Sequence, residues 1–273
     1  MTNKAGKIIV NIVLLLLGIV TVYPFVWMVF SSFKENQEIM ALEQSLLPQH
    51  FITENYINMN SRFDFLHFFT NSLFVAVTIT VLVVYTSTIC GYVLSKYRFR
   101  GRNLLFGFVL STMMIPWCVT IIPRYSLIQT FGWMDSYKAL IIPVMFSGFG
   151  IFNMRQNISA VPDEILEAAR IDGANEFYIF HRIIFPMARN GIASIAIFQF
   201  LWAWEDYLWP YLVINTQEKQ LLSVGLKMFS GQYSTDYGAL FAATAISILP
   251  VLLIYLFFQK QFIAGIAASA VKG

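Results

Sequence analysis

Six runs of the 273-residue sequence are long and apolar enough to cross a lipid bilayer, which takes roughly 20 helical residues. They fall at Ile8–Phe30, Phe68–Leu94, Leu104–Ile122, Lys138–Met154, Ile192–Ile214 and Ala239–Phe258. In hydrocarbon every backbone N–H and C=O must find its partner within the protein, so such runs are helices or a closed barrel. The period-two alternation of a membrane barrel is missing from them. An all-α membrane protein with six transmembrane helices is therefore expected. The fourth run is the least regular, short and punctuated by Pro143, Gly148 and Gly150. Composition agrees: charged residues are 12% of the chain, roughly half the share usual in a soluble domain.

Lys4 and Lys7 ahead of the first run would suit a signal peptide. That run leads instead into Tyr23-Pro24-Phe25-Val26-Trp27, with no small-x-small cleavage site, and reads as a retained helix. Lysine and arginine set the orientation. With the N-terminus inside, cytoplasmic segments carry 12 of them and outer segments 6, which places both termini in the cytoplasm. Three regions follow: residues 1–66 with the first helix and an extracytoplasmic loop, 67–262 as a transmembrane core containing a cytoplasmic loop at 155–190, and a tail at 263–273. The outer side receives loops at 31–66 and 215–237.

Several chemistries are excluded. No G-x-x-x-x-G-K-[ST] phosphate loop is present, so the chain binds no ATP of its own, and no G-x-S-x-G elbow offers a nucleophile. His50, His67 and His181 lie far apart without metal spacing, so neither a metal site nor a catalytic site is expected. Cys90 and Cys118 sit in apolar surroundings and read as buried thiols. A net charge of +3 is too small and dispersed for nucleic acid, and the cluster Lys96, Arg98, Arg100 and Arg102 behind an apolar run is a topology signal. Solute movement against a gradient would need an ion gradient or a partner.

Between the fourth and fifth runs lies a polar island. Five acids, three arginines and a histidine fall between Asp163 and Arg189. Pro162, with Asp163 and Glu164 beside it, marks a helix start, because proline tolerates a missing donor and the acids complement the positive helix end. Gly173 permits a sharp turn. Ala174 to Arg182 suits a second short helix, its apolar positions including Phe177, ended by Pro186. Two short helices joined at a glycine can form a docking knob beneath the membrane. They can equally form an amphipathic hairpin on the lipid headgroups.

Glu167-Ala168-Ala169, Gly173, Ile183 and Pro186 stand at the spacing of the EAA loop of ATP-binding-cassette importer membrane subunits, and the chain resembles that family. Phe185 departs from the usual leucine and keeps the position apolar. The resemblance runs through Phe69-Thr70-Asn71-Ser72-Leu73, the stretch Gly91 to Gly101, Met113-Met114-Ile115-Pro116, Phe152-Asn153-Met154-Arg155-Gln156 and Trp202-Ala203-Trp204-Glu205-Asp206. It is closest to the carbohydrate branch, particularly the shorter six-span subunit of maltose-type transporters.

The resemblance implies a type I importer permease fold in a bacterial cytoplasmic (inner) membrane. It implies a second, related permease subunit, two cytoplasmic ATPases that bind ATP-Mg, and an extracytoplasmic sugar-binding protein. The coupling surface would be Glu167, Ala168, Ala169, Asp172, Gly173, Phe177, Ile183 and Pro186. The ending Ala270-Val271-Lys272-Gly273 would insert toward the ATPases, although its small residues also suit a frayed terminus.

Glu205 and Asp206 lie about 13 residues, roughly 20 Å of helix, beyond the inner end of the fifth run. Ionisable groups there usually face water or a partner. With Trp202, Trp204 and Trp209 they can line a sugar pathway. The same aromatics also suit an interfacial belt. The expected function is the permease subunit of an ATP-driven carbohydrate importer working by alternating access. The alternatives are a permease for a non-sugar substrate, an ion-coupled secondary transporter and an intramembrane enzyme; the missing catalytic constellation disfavours the last.

Overall fold

The computed structural model describes residues 4–61, 63–230 and 235–270, with residue 5 and residues 261–270 by backbone alone. The regular secondary structure of the described residues is all helical, with a single isolated bridge between Ser230 and Thr235. In order the helices are α1 (Lys4–Ser31), α2 (Asn36–Ile39), α3 (Glu54–Asn58), α4 (Phe65–Lys96), α5 (Arg102–Met114), α6 (Trp117–Thr130), α7 (Tyr137–Ile141) and α8 (Gly148–Ser159). Then follow α9 (Asp163–Ile171), α10 (Glu176–Tyr178), a π-helical turn at Ile179–Ile184, α11 (Phe185–Met187), α12 (Arg189–Glu205), α13 (Leu208–Val213), α14 (Leu222–Lys227), α15 (Tyr237–Ser247) and α16 (Leu249–Ala270).

Three stretches are long and apolar enough to cross a membrane, Gly6–Ser31, Phe65–Lys96 and Tyr237–Lys260, the last with a single-residue interruption at Ile248 between α15 and α16. The other three candidate crossings are bent pairs, where unbroken runs were expected. Arg102–Met114 and Trp117–Thr130 meet at 102°. Pro116 is the cause: it disfavours helical geometry in the residue before it, and Ile115 is extended at φ −85° and ψ 116°. Tyr137–Val144 and Gly148–Ser159 meet at 41°, with Pro143 in the 3-10 turn that ends the first arm. Glu176–Met187 and Arg189–Glu205 meet at 76°, with Glu176, His181 and Arg182 on the first arm. The expected run to Ile214 breaks again at Asp206, which is extended. Pro210 has no N–H for the Asp206 carbonyl one turn back, and the Ser223 hydroxyl donates to that carbonyl at 2.7 Å instead.

The chain divides into two compact units. The first joins Met1–Leu66 to Gly225–Leu249. Here α1 buries little, and Trp27 meets Phe241 edge-on at 5.2 Å. The 31–66 segment is no bare loop. Asn55 donates to the carbonyls of Ser32 (2.9 Å) and Lys34 (2.8 Å), and Gly238 lies so close that a Cβ there would sit 2.4 Å from the Asn55 amide oxygen. Lys34 is 1% exposed and donates to the Ser45 carbonyl.

The second unit joins His67–Val224 to Pro250–Gly273. Its helices cross at small residues, which let backbones approach closely. A Cβ on Gly91 of α4 would lie 2.7 Å from the Met154 Cβ and 2.8 Å from the Arg155 backbone nitrogen of α8. On α12, a Cβ at Gly191 would lie 2.7 Å from Asn157 Cγ. At one end, Asp135 adopts φ 55° and accepts from the backbone of Asn215 (3.0 Å) and Thr216 (2.9 Å) and from Lys219 (3.0 Å). Those bonds hold its carboxyl well below the ordinary range, the Thr216 bonds most strongly. Helix α16 runs on to Ala270, beyond the candidate span that ends at Lys260, close to the expected end at Phe258. One expectation needs correcting. Cys118 is exposed and Cys90 half-buried, so neither thiol is sealed in a core.

Candidate functional site

Two places in the second unit gather polar groups: the island at 163–186 and a cavity beside the break at Asp206.

Helix α9 begins where expected. Pro162 caps it, Asp163 and Glu164 occupy its first turn, and Arg170 its last, each complementing the helix dipole. Its end is a Schellman motif around Gly173, which sits at φ 83°. The Ala174 N–H donates to the Ala169 carbonyl at 2.9 Å and the Gly173 N–H to the Arg170 carbonyl at 3.1 Å. The second helix differs from its expected bounds. Asn175 is its cap, accepting from the Tyr178 N–H at 2.8 Å, and the helix passes through Pro186 to Met187. The wide π turn at Ile179–Ile184 stands just before that proline, whose ring would crowd a regular turn.

Leu166, Ile179, Phe180 and Ile184 anchor the island to the core. Ala169 and Ile183 also turn inward, half-buried against it. Glu167, Ala168, Asp172, Gly173, Phe177 and Pro186 face outward. The most exposed large apolar side chains on this surface are Ile171 at 86% and Phe177 at 73%.

Both helices of the island are gripped by the end of α4. Lys96 donates to the Asp163 carboxylate at 2.6 Å and to the Val161 carbonyl. Glu176 accepts from Arg170 at 2.7 Å, from Tyr92 at 2.9 Å and from Tyr97. The Arg170 bond, opposed by partial burial and helped by the two phenols, brings the Glu176 carboxyl down to about 2. Lys96 likewise lowers that of Asp163. Sequence reasoning missed Tyr92, Tyr97 and Lys96 as partners of the island. The available signal was Lys96 inside the basic cluster, which reads equally well as a topology mark.

The cavity, about 390 Å³, is lined by α4 (Val75, Ile79), α6 (Trp117, Arg124), Ser147, α12 (Gln199, Trp202) and Asp206 at the break, among others. The five aromatic and acidic residues singled out near the fifth run separate here. Trp202 and Asp206 line the cavity. Trp204 is buried instead, stacked on Phe200 at 5.7 Å and edge-on to Phe69 at 5.5 Å. Trp209 is buried as well and donates its indole N–H to the Ala139 carbonyl at 2.9 Å. Glu205 is exposed and outside the cavity lining. Arg124, two residues beyond the end of the third run, faces the cavity with its guanidinium carbon 5.2 Å from the Trp209 ring centre. Of the tail, Ala270 ends α16, while Val271, Lys272 and Gly273 lie outside the described residues.

The model of the binding-protein-dependent transport system inner membrane component family matches residues 84–267. The arabinooligosaccharides transport system permease protein of Bacillus subtilis (strain 168) is 33% identical over 270 residues, covering 98% of this chain and 96% of that protein. The diacetylchitobiose uptake system permease protein of Streptomyces coelicolor is 34% identical over 275 residues, covering 99% and 91%. Among solved structures, a chain of a bacterial ABC transporter involved in the import of the acidic polysaccharide alginate superposes with a TM-score of 0.84 at 25% identity, over 96% of this chain and 99% of that one. The chain belongs to the family of inner-membrane components of binding-protein-dependent transport systems: it is a multi-pass permease subunit of an ABC importer, whose ATPase is a separate subunit.

Proposed function

We propose that this subunit forms half of the translocation pathway of a carbohydrate importer and couples to two cytoplasmic ATPases through the island at 163–186. A second, related permease subunit completes the pathway, and an extracytoplasmic sugar-binding protein delivers the substrate. Both termini lie in the cytoplasm, as the 12-to-6 bias of Lys and Arg favours. The observation that carries this reading is the island itself. Its two exposed helices, with apolar Ile171 and Phe177 on their surface, are each held at their start by a 32-residue transmembrane helix, α9 through Lys96 to Asp163 and α10 through Tyr92 to Glu176.

Coupling requires a contact that differs between two states and an element stiff enough to transmit it. Glu167, Ala168, Asp172, Gly173, Phe177 and Pro186 form the contact with the ATPase, and Ala169 and Ile183 seat the island on its own subunit. The tail from Ala270 to Gly273 reaches the same ATPase surface. ATP-driven closure of the ATPases moves the island, α4 follows, and the pathway lined by Trp202 and Asp206 changes its access. The carbohydrate assignment draws on relatives named for arabinooligosaccharides and diacetylchitobiose and on the structural neighbour named for alginate.

The test is uptake into proteoliposomes holding the complete importer and its binding protein. ATP-dependent accumulation of an oligosaccharide, abolished by leaving out either the ATPase or the binding protein, is expected. Accumulation driven by an ion gradient without the ATPase overturns the reading.

A further inference from the structure

The cavity beside Asp206 holds two opposite charges that do not neutralise each other directly. The ion pairs among the described residues are Lys34–Glu38, Lys96–Asp163, Arg170–Glu176 and Lys219–Asp135; Arg124 and Asp206 form none. Arg124 rests on the Trp209 ring and makes no hydrogen bond to a described residue, which leaves its fork of five N–H donors for something else. The Asp206 carboxylate accepts one long bond, 3.4 Å from the Trp209 N–H, and has capacity for more. Charged groups in an apolar setting are costly to keep without water or a partner.

The neighbours narrow the chemistry. The Gln199 amide, buried at the cavity wall, can both donate and accept. The Ser147 hydroxyl accepts from the Gly150 N–H at 3.1 Å and keeps its own proton to give. Trp202, 48% exposed, and Trp117, 53% exposed, supply broad apolar faces. Donors and acceptors converging beside aromatic faces suit a polyhydroxylated ring, which offers both kinds of hydroxyl contact at its rim and C–H groups on its face. A volume of about 390 Å³ lies near the lower end for ligand pockets, enough for part of an oligosaccharide.

We propose that this cavity is a saccharide subsite carried by this subunit, in which Asp206 accepts from and Arg124 donates to the hydroxyls of a neutral sugar while Trp202 covers a ring face. The inference rests on the carbohydrate reading and adds the site and the substrate class. Neutrality follows from the charge balance. One cation and one anion sum to zero, and an acidic sugar would set a second carboxylate near Asp206.

The experiment uses the complete importer with its binding protein in proteoliposomes. Uptake of radiolabelled lactose, arabinotriose and diacetylchitobiose is compared with that of an alginate trisaccharide, per complex counted by size-exclusion chromatography. The expected result is uptake of at least one neutral probe, lowered about tenfold or more by Arg124→Gln and by Asp206→Asn. Trp202→Ala should lose as much, whereas Trp202→Phe, which keeps a ring face, should retain most of the rate. If a charge variant fails to assemble, Arg124→Lys and Asp206→Glu, which keep the charge and shift its position, carry the same comparison. Parent rates in Arg124→Gln and Asp206→Asn overturn the subsite and leave the carbohydrate reading standing. Uptake of the alginate trisaccharide alone overturns the neutral class. No uptake of any probe while ATP is hydrolysed defeats the carbohydrate reading, and the subsite with it.

Discussion

The Lys96 ammonium lies 2.6 Å from the Asp163 carboxylate, so the last residue of the longest helix holds the first residue of the exposed one. Tyr92, one turn earlier on α4, holds Glu176 at the start of α10. The same helix carries Val75 and Ile79 in the cavity wall, and Ile79 precedes Tyr92 by 13 residues, roughly 20 Å of helix. One continuous helix therefore joins the island to the cavity wall.

The first prediction removes that grip. Lys96→Ala and Asp163→Asn should each leave membrane abundance near the parent level and lower sugar moved per ATP hydrolysed several-fold. Lys96→Arg, which keeps the charge and reach, should preserve most of the coupling. An unchanged transport-to-hydrolysis ratio in Lys96→Ala would show that the contact is incidental.

How much of this was legible beforehand depends on the range of the interaction involved. The start of α9 at Pro162-Asp163-Glu164 and the turn at Gly173 are set by neighbours in sequence, and both appear as expected. The six apolar runs are legible for the same reason. Their breaks were not, because a proline such as Pro116 is tolerated within many spanning helices and only the surrounding packing decides whether it bends one by 102°. The grip of Tyr92 and Tyr97 on Glu176 joins residues more than 70 positions apart and leaves no local trace. The place of Arg124 in the cavity was not legible because the expected run ended before it, whereas α6 carries it to the cavity wall.

A second prediction concerns pH. The folded-state carboxyl of Glu176 titrates at about 2 against an ordinary value of 4.5, so the protein binds fewer protons there than the unfolded chain does. Its contribution is fully present above about 4.5 and is lost as pH falls toward about 2. The side chain is 48% exposed, so solvent screening keeps the contribution modest. Thermal unfolding in detergent should show a constant gap between the parent and Glu176→Gln from pH 8 to pH 5, narrowing below about 4.5. A gap that widens on acidification would contradict the assigned contacts.

The third prediction separates space from backbone geometry at Gly173. A Cβ there meets nothing within 4 Å, so only the left-handed φ of 83° opposes a side chain. Gly173→Asn, which visits that region more readily, should transport better than Gly173→Ala, whose strain is about 1–2 kcal/mol. Gly173→Val and Gly173→Pro should uncouple. Equal uptake by all four variants at equal abundance removes the turn from the mechanism.

Gly91 offers a fourth, of opposite kind. Its Cα–H faces the α8 backbone with no room for a methyl group, so Gly91→Ala should lower the abundance of folded protein, and Gly91→Val should lower it further. Thermal stability of Gly91→Ala within a few tenths of a degree of the parent would mean that α4 and α8 cross elsewhere.

The central claim, that the island docks on a cytoplasmic ATPase, is tested most directly by site-specific crosslinking in the intact importer. Cys90 and Cys118 are first replaced by serine, and single cysteines are then placed at Ala168, Phe177 and, as an outer-side control, Gln217. A short bis-maleimide should join the Ala168→Cys and Phe177→Cys chains to the ATPase and leave the Gln217→Cys chain free, with yields that change when ATP is added. Failure of both island positions to crosslink, in a complex that still hydrolyses ATP and takes up sugar, would contradict the account.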